Sequence, residues 1–381
     1  MAGKRTEASF SLKDQLFNRD RVQYLSSLFA ASDDSFDASG FVRDTMRGLK
    51  QLELKQRIVH IAEQLERRLA DDYRVAAKQI TSALPPPLDP NNTDDDFGDF
   101  IFAPLGQFVV RNGLEKRYLK LSLKTLKAIT KRFSMEDAIR PFIGTHPSET
   151  LAELDKWTSD TNYHVRRLVS EGTRPLLPWS GRLSIDPRVP LPMLDALHAD
   201  STRYVTRSVA NHLNDISKSS PKVVLDSLKR WKQAKQQDAN ELKWMSRHAL
   251  RTLIKRGDRS ALRFLGFRAD PKIQVSQFSI CPAKVQAGQA VNFSFSLTAN
   301  RNESLIVDYV IDFVKANGTL APRVHKIKQL DVERGQTIAI SKRHVLKADA
   351  TTYTLYPGTH HLTLQINGKS FGRQSFQLRL S

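Results

Sequence analysis

The chain has 381 residues, and 59 Lys+Arg against 40 Asp+Glu give it a formal charge of +19. A single cysteine, Cys281, excludes an internal disulfide framework and a multi-cysteine zinc site. No apolar run approaches the roughly 18 residues of a membrane span, and Met1-Ala-Gly-Lys-Arg-Thr-Glu-Ala lacks the apolar stretch of a secretion signal, so a cytosolic, cytoplasmic protein with no membrane partner is expected.

In chain order, residues 1–270 read as helical and residues 271–381 as strands. The first zone opens with amphipathic segments at Leu12 to Ala30, Phe41 to Leu49, Leu52 to Leu69 and Asp72 to Leu84. In the third, Leu52, Leu54, Ile58, Ile61, Ala62 and Leu65 fall close to one helical stripe. Pro85-Pro86-Pro87 ends the series, because three prolines cannot continue a helix. The acidic stretch Asp89 to Asp96 lacks the spacing and central glycine of a calcium-binding EF-hand, and reads as a solvated loop. Helix is expected to resume at Leu114 to Phe133.

Beyond this the chain repeats itself. Asp160-Thr-Asn-Tyr-His164-Val165-Arg-Arg167, Asp200-Ser-Thr-Arg-Tyr204-Val205-Thr-Arg207 and Asn240-Glu-Leu-Lys-Trp244-Met245-Ser-Arg247 align at a spacing of 40 residues. Asp or Asn reads as an N-cap, and the ring and Val/Met as buried positions continued by Val169, Val209 and Ala249. A period near 40 with two helices per unit is the signature of HEAT-like repeats, which stack into an α-solenoid. Arg167, Arg207 and Arg247 then either staple adjacent turns or meet phosphate.

After Pro271 the pattern has period two. Val291 to Leu297, Leu305 to Phe313, His361 to Ile366 and Phe371 to Leu380 alternate, with turns at Asn317-Gly318, Pro357-Gly358 and Asn367-Gly368. Roughly seven short strands in this length predict an Ig-like β-sandwich. The expected fold is therefore an α-solenoid of HEAT-like repeats (1–270) followed by a separate β domain (271–381). The strand zone carries a net +8 and the helical zone +11, so the charge belongs to folded faces rather than to a basic tail, and a polyanion such as nucleic acid is the expected partner.

The common catalytic and nucleotide-binding motifs are missing: there is no Walker A loop, G-x-G-x-x-G, G-x-S-x-G or H-E-x-x-H. His360-His361 lies in a strand pattern whose neighbours point to opposite faces, a poor metal site. No metal and no cofactor is expected. What remains is a polar cluster in the repeats. Glu171 follows Arg167 by four residues, Glu136 follows Ser134 near a helix start, and Asn211 takes the repeat register of Glu171 with Asp215 just beyond. Trp179 reads either as an exposed ring or as a core or hinge residue beside Pro178.

Asn162-Tyr-His-Val-Arg-Arg167, Ser170-Glu-Gly-Thr-Arg-Pro-Leu-Leu-Pro-Trp179 and Ser208-Val-Ala-Asn-His-Leu-Asn-Asp-Ile-Ser-Lys218 resemble the HEAT-like-repeat DNA alkylation repair glycosylases, and within them the AlkC branch rather than AlkD. The resemblance runs from about Ser11 to Phe267, and the strand domain is similar to the Ig-like extension of part of that branch. It implies a monofunctional, monomeric glycosylase acting on cationic N3-alkylated bases (3-methyladenine, 3-methylcytosine) in duplex DNA without full base flipping. On these positions it implies Glu171 as the principal carboxylate, supported by Glu136, with Trp179 against the sugar or lesion and Asp215 as a further acid. Arg166, Arg167, Arg174, Arg182, Arg203, Arg207, Asn211, His212 and Lys218 are then DNA-contact candidates. In the strand domain Arg323, Lys326, Lys328, Lys342 and Arg343 are expected to help clamp the duplex. Two other readings compete: a non-catalytic solenoid that binds alkylated or bent DNA, and a protein–protein scaffold, against which the charge counts.

Overall fold

The structure, a computed structural model, describes residues 11–92, 97–350 and 353–379. Part of the acidic stretch Asp89 to Asp96, and Leu380, therefore lie outside the described residues. The helices are α1 (Leu12–Leu16), α2 (Arg19–Ser32), α3 (Ala38–Met46), α4 (Leu54–Glu66), α5 (Tyr73–Ser82), α6 (Ala103–Gly113), α7 (Leu119–Thr130), α8 (Ile139–Thr145), α9 (Pro147–Trp157), α10 (Tyr163–Gly172), α11 (Leu191–Leu197), α12 (Arg203–Ser217), α13 (Pro221–Ala234), α14 (Ala239–Ala249), α15 (Arg251–Lys255) and α16 (Arg259–Phe264). The strands are β1 (Ile273–Cys281), β2 (Lys284–Gln286), β3 (Ala290–Ala299), β4 (Glu303–Val314), β5 (Leu320–Val332), β6 (Thr337–Val345), β7 (Gly358–Ile366) and β8 (Lys369–Arg379).

Helix resumes earlier than the sequence reading placed it. Asp99 accepts from the Ile101 amide, a 3-10 turn forms at Phe100–Phe102, and Pro104 opens α6, a start signal that the expectation of Leu114 overlooked. The repeat cores form as expected. Val165, Val205 and Met245 are fully buried, and so are Val169, Val209 and Ala249. The caps differ by two residues. Asn162, not Asp160, caps α10 by accepting from His164 N and Val165 N, while Asp160 accepts from Asn162 N. Likewise Asp238, not Asn240, accepts from Glu241 N in the first turn of α14. The short polar residue two positions away closes the better turn in each case.

Arg167 does join neighbouring segments, donating to Glu136 and Ser134 before α8, and further ion pairs join the turns beside it. Lys127 Nζ lies 2.6 Å from Asp160, Arg166 forks onto both oxygens of Asp200 at 2.5 and 3.0 Å, and Arg203 Nε donates to Glu241 at 2.8 Å. Arg247 instead donates to Gln329, and Arg207 is half-buried.

The chain divides into two compact units, one of Met1–Ile216 with Arg230–Met245, the other of Ser217–Lys229 with Ser246–Ser381. In the second, β1-β3-β6 form one sheet and β2-β8-β7-β4-β5 the other, antiparallel except for β2 with β8. Their alternating residues close a core that includes Phe293, Phe295, Leu305, Tyr309, Ile311, Leu362, Leu364 and Phe376. Asn367 and Gly368 both take positive φ, 46° and 78°, which suits a two-residue hairpin turn between β7 and β8. The alternation named the segments of β3, β4, β7 and β8, and the structure adds β1, β2, β5 and β6.

Candidate active site

The site is built on α10. Its 3.6-residue period places Arg167 and Glu171 one turn apart on one face, and Arg174 follows just past the helix end. The segment before α8 contributes Ser134 and Glu136, and α12 contributes Ser208 and Asp215. Ser134 caps no helix: α8 begins only at Ile139, and Ser134 Oγ donates to Glu136 Oε2 at 2.9 Å.

These residues form one alternating chain of charge. Arg167 Nη1 donates to Glu136 Oε2 and to Ser134 Oγ, both at 2.9 Å, and Arg167 Nη2 lies 3.9 Å from Glu171 Oε2. Glu171 Oε2 accepts from Ser208 Oγ at 2.6 Å, while Oε1 accepts from Arg174. Arg174 turns its other edge to Asp215 Oδ2, at 2.8 Å from Nε and 2.7 Å from Nη2. The order is Glu136, Arg167, Glu171, Arg174, Asp215, so the chain carries one net negative charge. Its open end is Glu136, whose side chain is 27% exposed against 6% for Glu171.

Burial and charge oppose each other here. Burial raises the Glu171 carboxyl, but Arg167, Arg174 and the Ser208 hydroxyl outweigh it and hold the group below the usual glutamate range. Burial likewise works against the Arg167 cation, and Glu136 and Glu171 more than restore it. The Arg167 guanidinium also lies over the Tyr204 ring at 4.5 Å and the half-exposed Phe97 ring at 5.4 Å. Glu171 is thus an ionised carboxylate in a water-poor setting, where a developing positive charge is felt strongly.

Trp179 stands out from the turn after α10 with 66% of its surface exposed, which excludes a core position. Among the DNA-contact candidates, Arg182 and Lys218 are exposed and Asn211 is half-buried. Arg166, Arg167, Arg174 and Arg203 are each held by carboxylates. His212 is a correction. It is fully buried, its Nδ1 sits 3.0 Å from the Ser170 carbonyl, and burial pulls its imidazole down to about 4, so it supports α10 from inside and cannot meet a duplex.

A family model described as the C-terminal Ig-like domain of the uncharacterised protein YhaZ matches residues 274–380. The uncharacterized protein YhaZ of Bacillus subtilis (strain 168) is 31% identical over 369 residues, covering 96% of this chain and 98% of that protein. The Pseudomonas fluorescens alkylpurine DNA glycosylase AlkC, solved bound to DNA containing an abasic site analog, superposes with a TM-score of 0.87 at 35% identity, over 97% of this chain and all of AlkC. The chain belongs to the AlkC/YhaZ family. Its family-specific strand domain coincides with β1 to β8.

Within that domain of the AlkC/YhaZ fold the five basic candidates do not share a face. Arg323 pairs across the sheet with the buried Ile311, and Lys342 with the buried Phe293, which puts both at the rim of the inner faces. Lys326 pairs with Asp308 on the outer side, Lys328 is exposed beside a bulge, and Arg343 lies on the outer side of the other sheet. Sequence reasoning also missed Ser208, Ser134 and Phe97. A serine inside the buried stripe of an amphipathic helix was the available sign for Ser208.

Proposed function

We propose that this chain is a monofunctional DNA glycosylase that removes cationic N3-alkylated bases, 3-methyladenine and 3-methylcytosine, from duplex DNA. The alternating chain from Glu136 to Asp215, in a fold that matches AlkC over its whole length, is the observation that carries the reading. Alkylation at N3 already makes the base a cationic leaving group, so no acid is required to expel it. What the enzyme must supply is negative charge against the oxocarbenium-like sugar and a placed water. Glu171, kept ionised by two arginines, supplies the charge without taking up a proton. Glu136, the more open carboxylate, orients the water. Trp179, exposed beside them, packs on the sugar or lesion, which suits attack on a base that is not fully extruded. Exposed cations on both the helical and the strand domain hold the phosphates.

Release of free base from a methylated duplex tests this. The wild-type chain is expected to free 3-methyladenine, and Glu171→Gln to lose release by about a hundredfold or more while still binding an abasic duplex. Binding by the wild-type chain with no base released leaves the non-catalytic reading in its place.

A further inference from the structure

We infer that Arg140 is a positioning residue that ties the end of α10, with its Glu171–Arg174 pair, to the loop that presents Trp179; this rests on the glycosylase reading. Arg140 is the second residue of α8 and is 6% exposed. Among the described residues no carboxylate lies within ion-pairing distance of it. Its guanidinium is satisfied by backbone carbonyls instead: Nη1 donates to Gly172 O at 3.2 Å and to Arg174 O at 2.7 Å, and Nη2 donates to Gly181 O at 2.7 Å. A buried cation with no carboxylate in contact is costly to keep: burial depresses this arginine, and Asp137, Glu136 and Glu171 offset that only from a distance. Packing alone does not call for it, since an apolar side chain of similar volume would fill the same space.

The three acceptors explain its place. Gly172 is the last residue of α10, where unpaired carbonyls and the helix dipole present negative charge. Arg174 and Gly181 lie on either side of Trp179 in the loop. Leu183 N closes that loop on Pro175 O at 3.1 Å, and the side chains of Ser180 and Asp137 hydrogen-bond beside its tip. One planar fork therefore fixes three points: the helix end behind Glu171, the backbone that aims the Arg174 side chain, and the return limb of the Trp179 loop. Close approach of the helices makes this possible. A Cβ on Gly172 would lie 2.5 Å from Ile139 Cγ2, so the glycine lets the start of α8 sit against the end of α10. A lysine would keep the charge and lose the fork.

The test compares Arg140→Lys, Arg140→Met and Arg140→Ala with wild type. It uses single-turnover release of 3-methyladenine, affinity for an abasic duplex, thermal melting, and acrylamide quenching of Trp179 emission against a Trp179→Phe background. Release is expected to fall about tenfold to a hundredfold in Arg140→Lys and Arg140→Met, since small misplacements cost that much. Abasic-duplex affinity should stay within about threefold. Trp179 quenching should change in the same variants, and guanidinium ion should restore part of the rate of Arg140→Ala. Unchanged release with unchanged quenching overturns the inference. So does a loss of release that only tracks the folded fraction while quenching stays at the wild-type value. If the wild-type chain itself frees no base, the glycosylase reading fails, and Trp179 quenching alone still decides whether Arg140 sets the loop.

Discussion

At Glu171 the sequence showed an acid four residues after an arginine, and the structure shows why it remains charged: two guanidiniums overcome the penalty of burial. His212 shows the opposite outcome on the next helix of the site. Its imidazole titrates at about 4 in the fold against 6.5 when unfolded, so its contribution to stability is fully present above pH 6.5 and is lost as pH falls toward 4. The window is worth at most about 3 kcal/mol, at roughly 1.4 kcal/mol per unit. His212→Asn offers an amide donor to the Ser170 carbonyl without a titrating ring. We expect it to flatten the fall in urea midpoint between pH 6.5 and pH 4, and an unchanged slope would show that another group causes it. The identity of both residues was legible in the sequence, but their exposure was not. Both side chains lie buried between α10 and α12, Glu171 on Ser208 and His212 on the Ser170 carbonyl, and one chain read alone does not show how those two helices face each other.

Among the elements, the repeat was the clearest thing written in the chain, because Val165, Val205 and Met245 mark one buried position at even intervals. Arg166 and Arg167 are adjacent, and both join neighbouring segments. On a helix, neighbours diverge by about 100°. Arg166 therefore reaches forward to Asp200 while Arg167 reaches back to Glu136. The forked Arg166–Asp200 pair is largely shielded, with side-chain exposures of 15% and 4%. A double-mutant cycle with Arg166→Gln and Asp200→Asn should give a coupling energy above about 1 kcal/mol in chemical denaturation. A coupling near zero would return Arg166 to the list of side chains available for DNA. In the strand domain the alternation located β3, β4, β7 and β8, where one face is buried and the other wet. It did not place β2, which is too short to show a period, or β1, β5 and β6, whose residues are mostly half-buried or exposed.

For the molecule as a whole, a formal +19 overstates what a duplex can use. Arg166, Arg167, Arg174 and Arg203 are engaged by carboxylates, so phosphate contact falls to exposed cations such as Arg182, Lys326, Lys328 and Arg343. Replacing Lys326, Lys328 and Arg343 with glutamine in the full chain should reduce the slope of log affinity against log salt by about one for each cation that touches a phosphate. A slope equal to wild type would remove the strand domain from the interface. The alternating chain of five charges also responds to substitution as a whole. Neutralising one of its acids leaves the site without net charge, and neutralising one of its arginines doubles the excess. Only a replacement of like charge keeps the balance, and lysine in place of either arginine would lose the fork that joins two carboxylates. Glu136, Arg167, Glu171, Arg174 and Asp215 therefore form one electrostatic unit, in which a change at any position alters the field felt at the others.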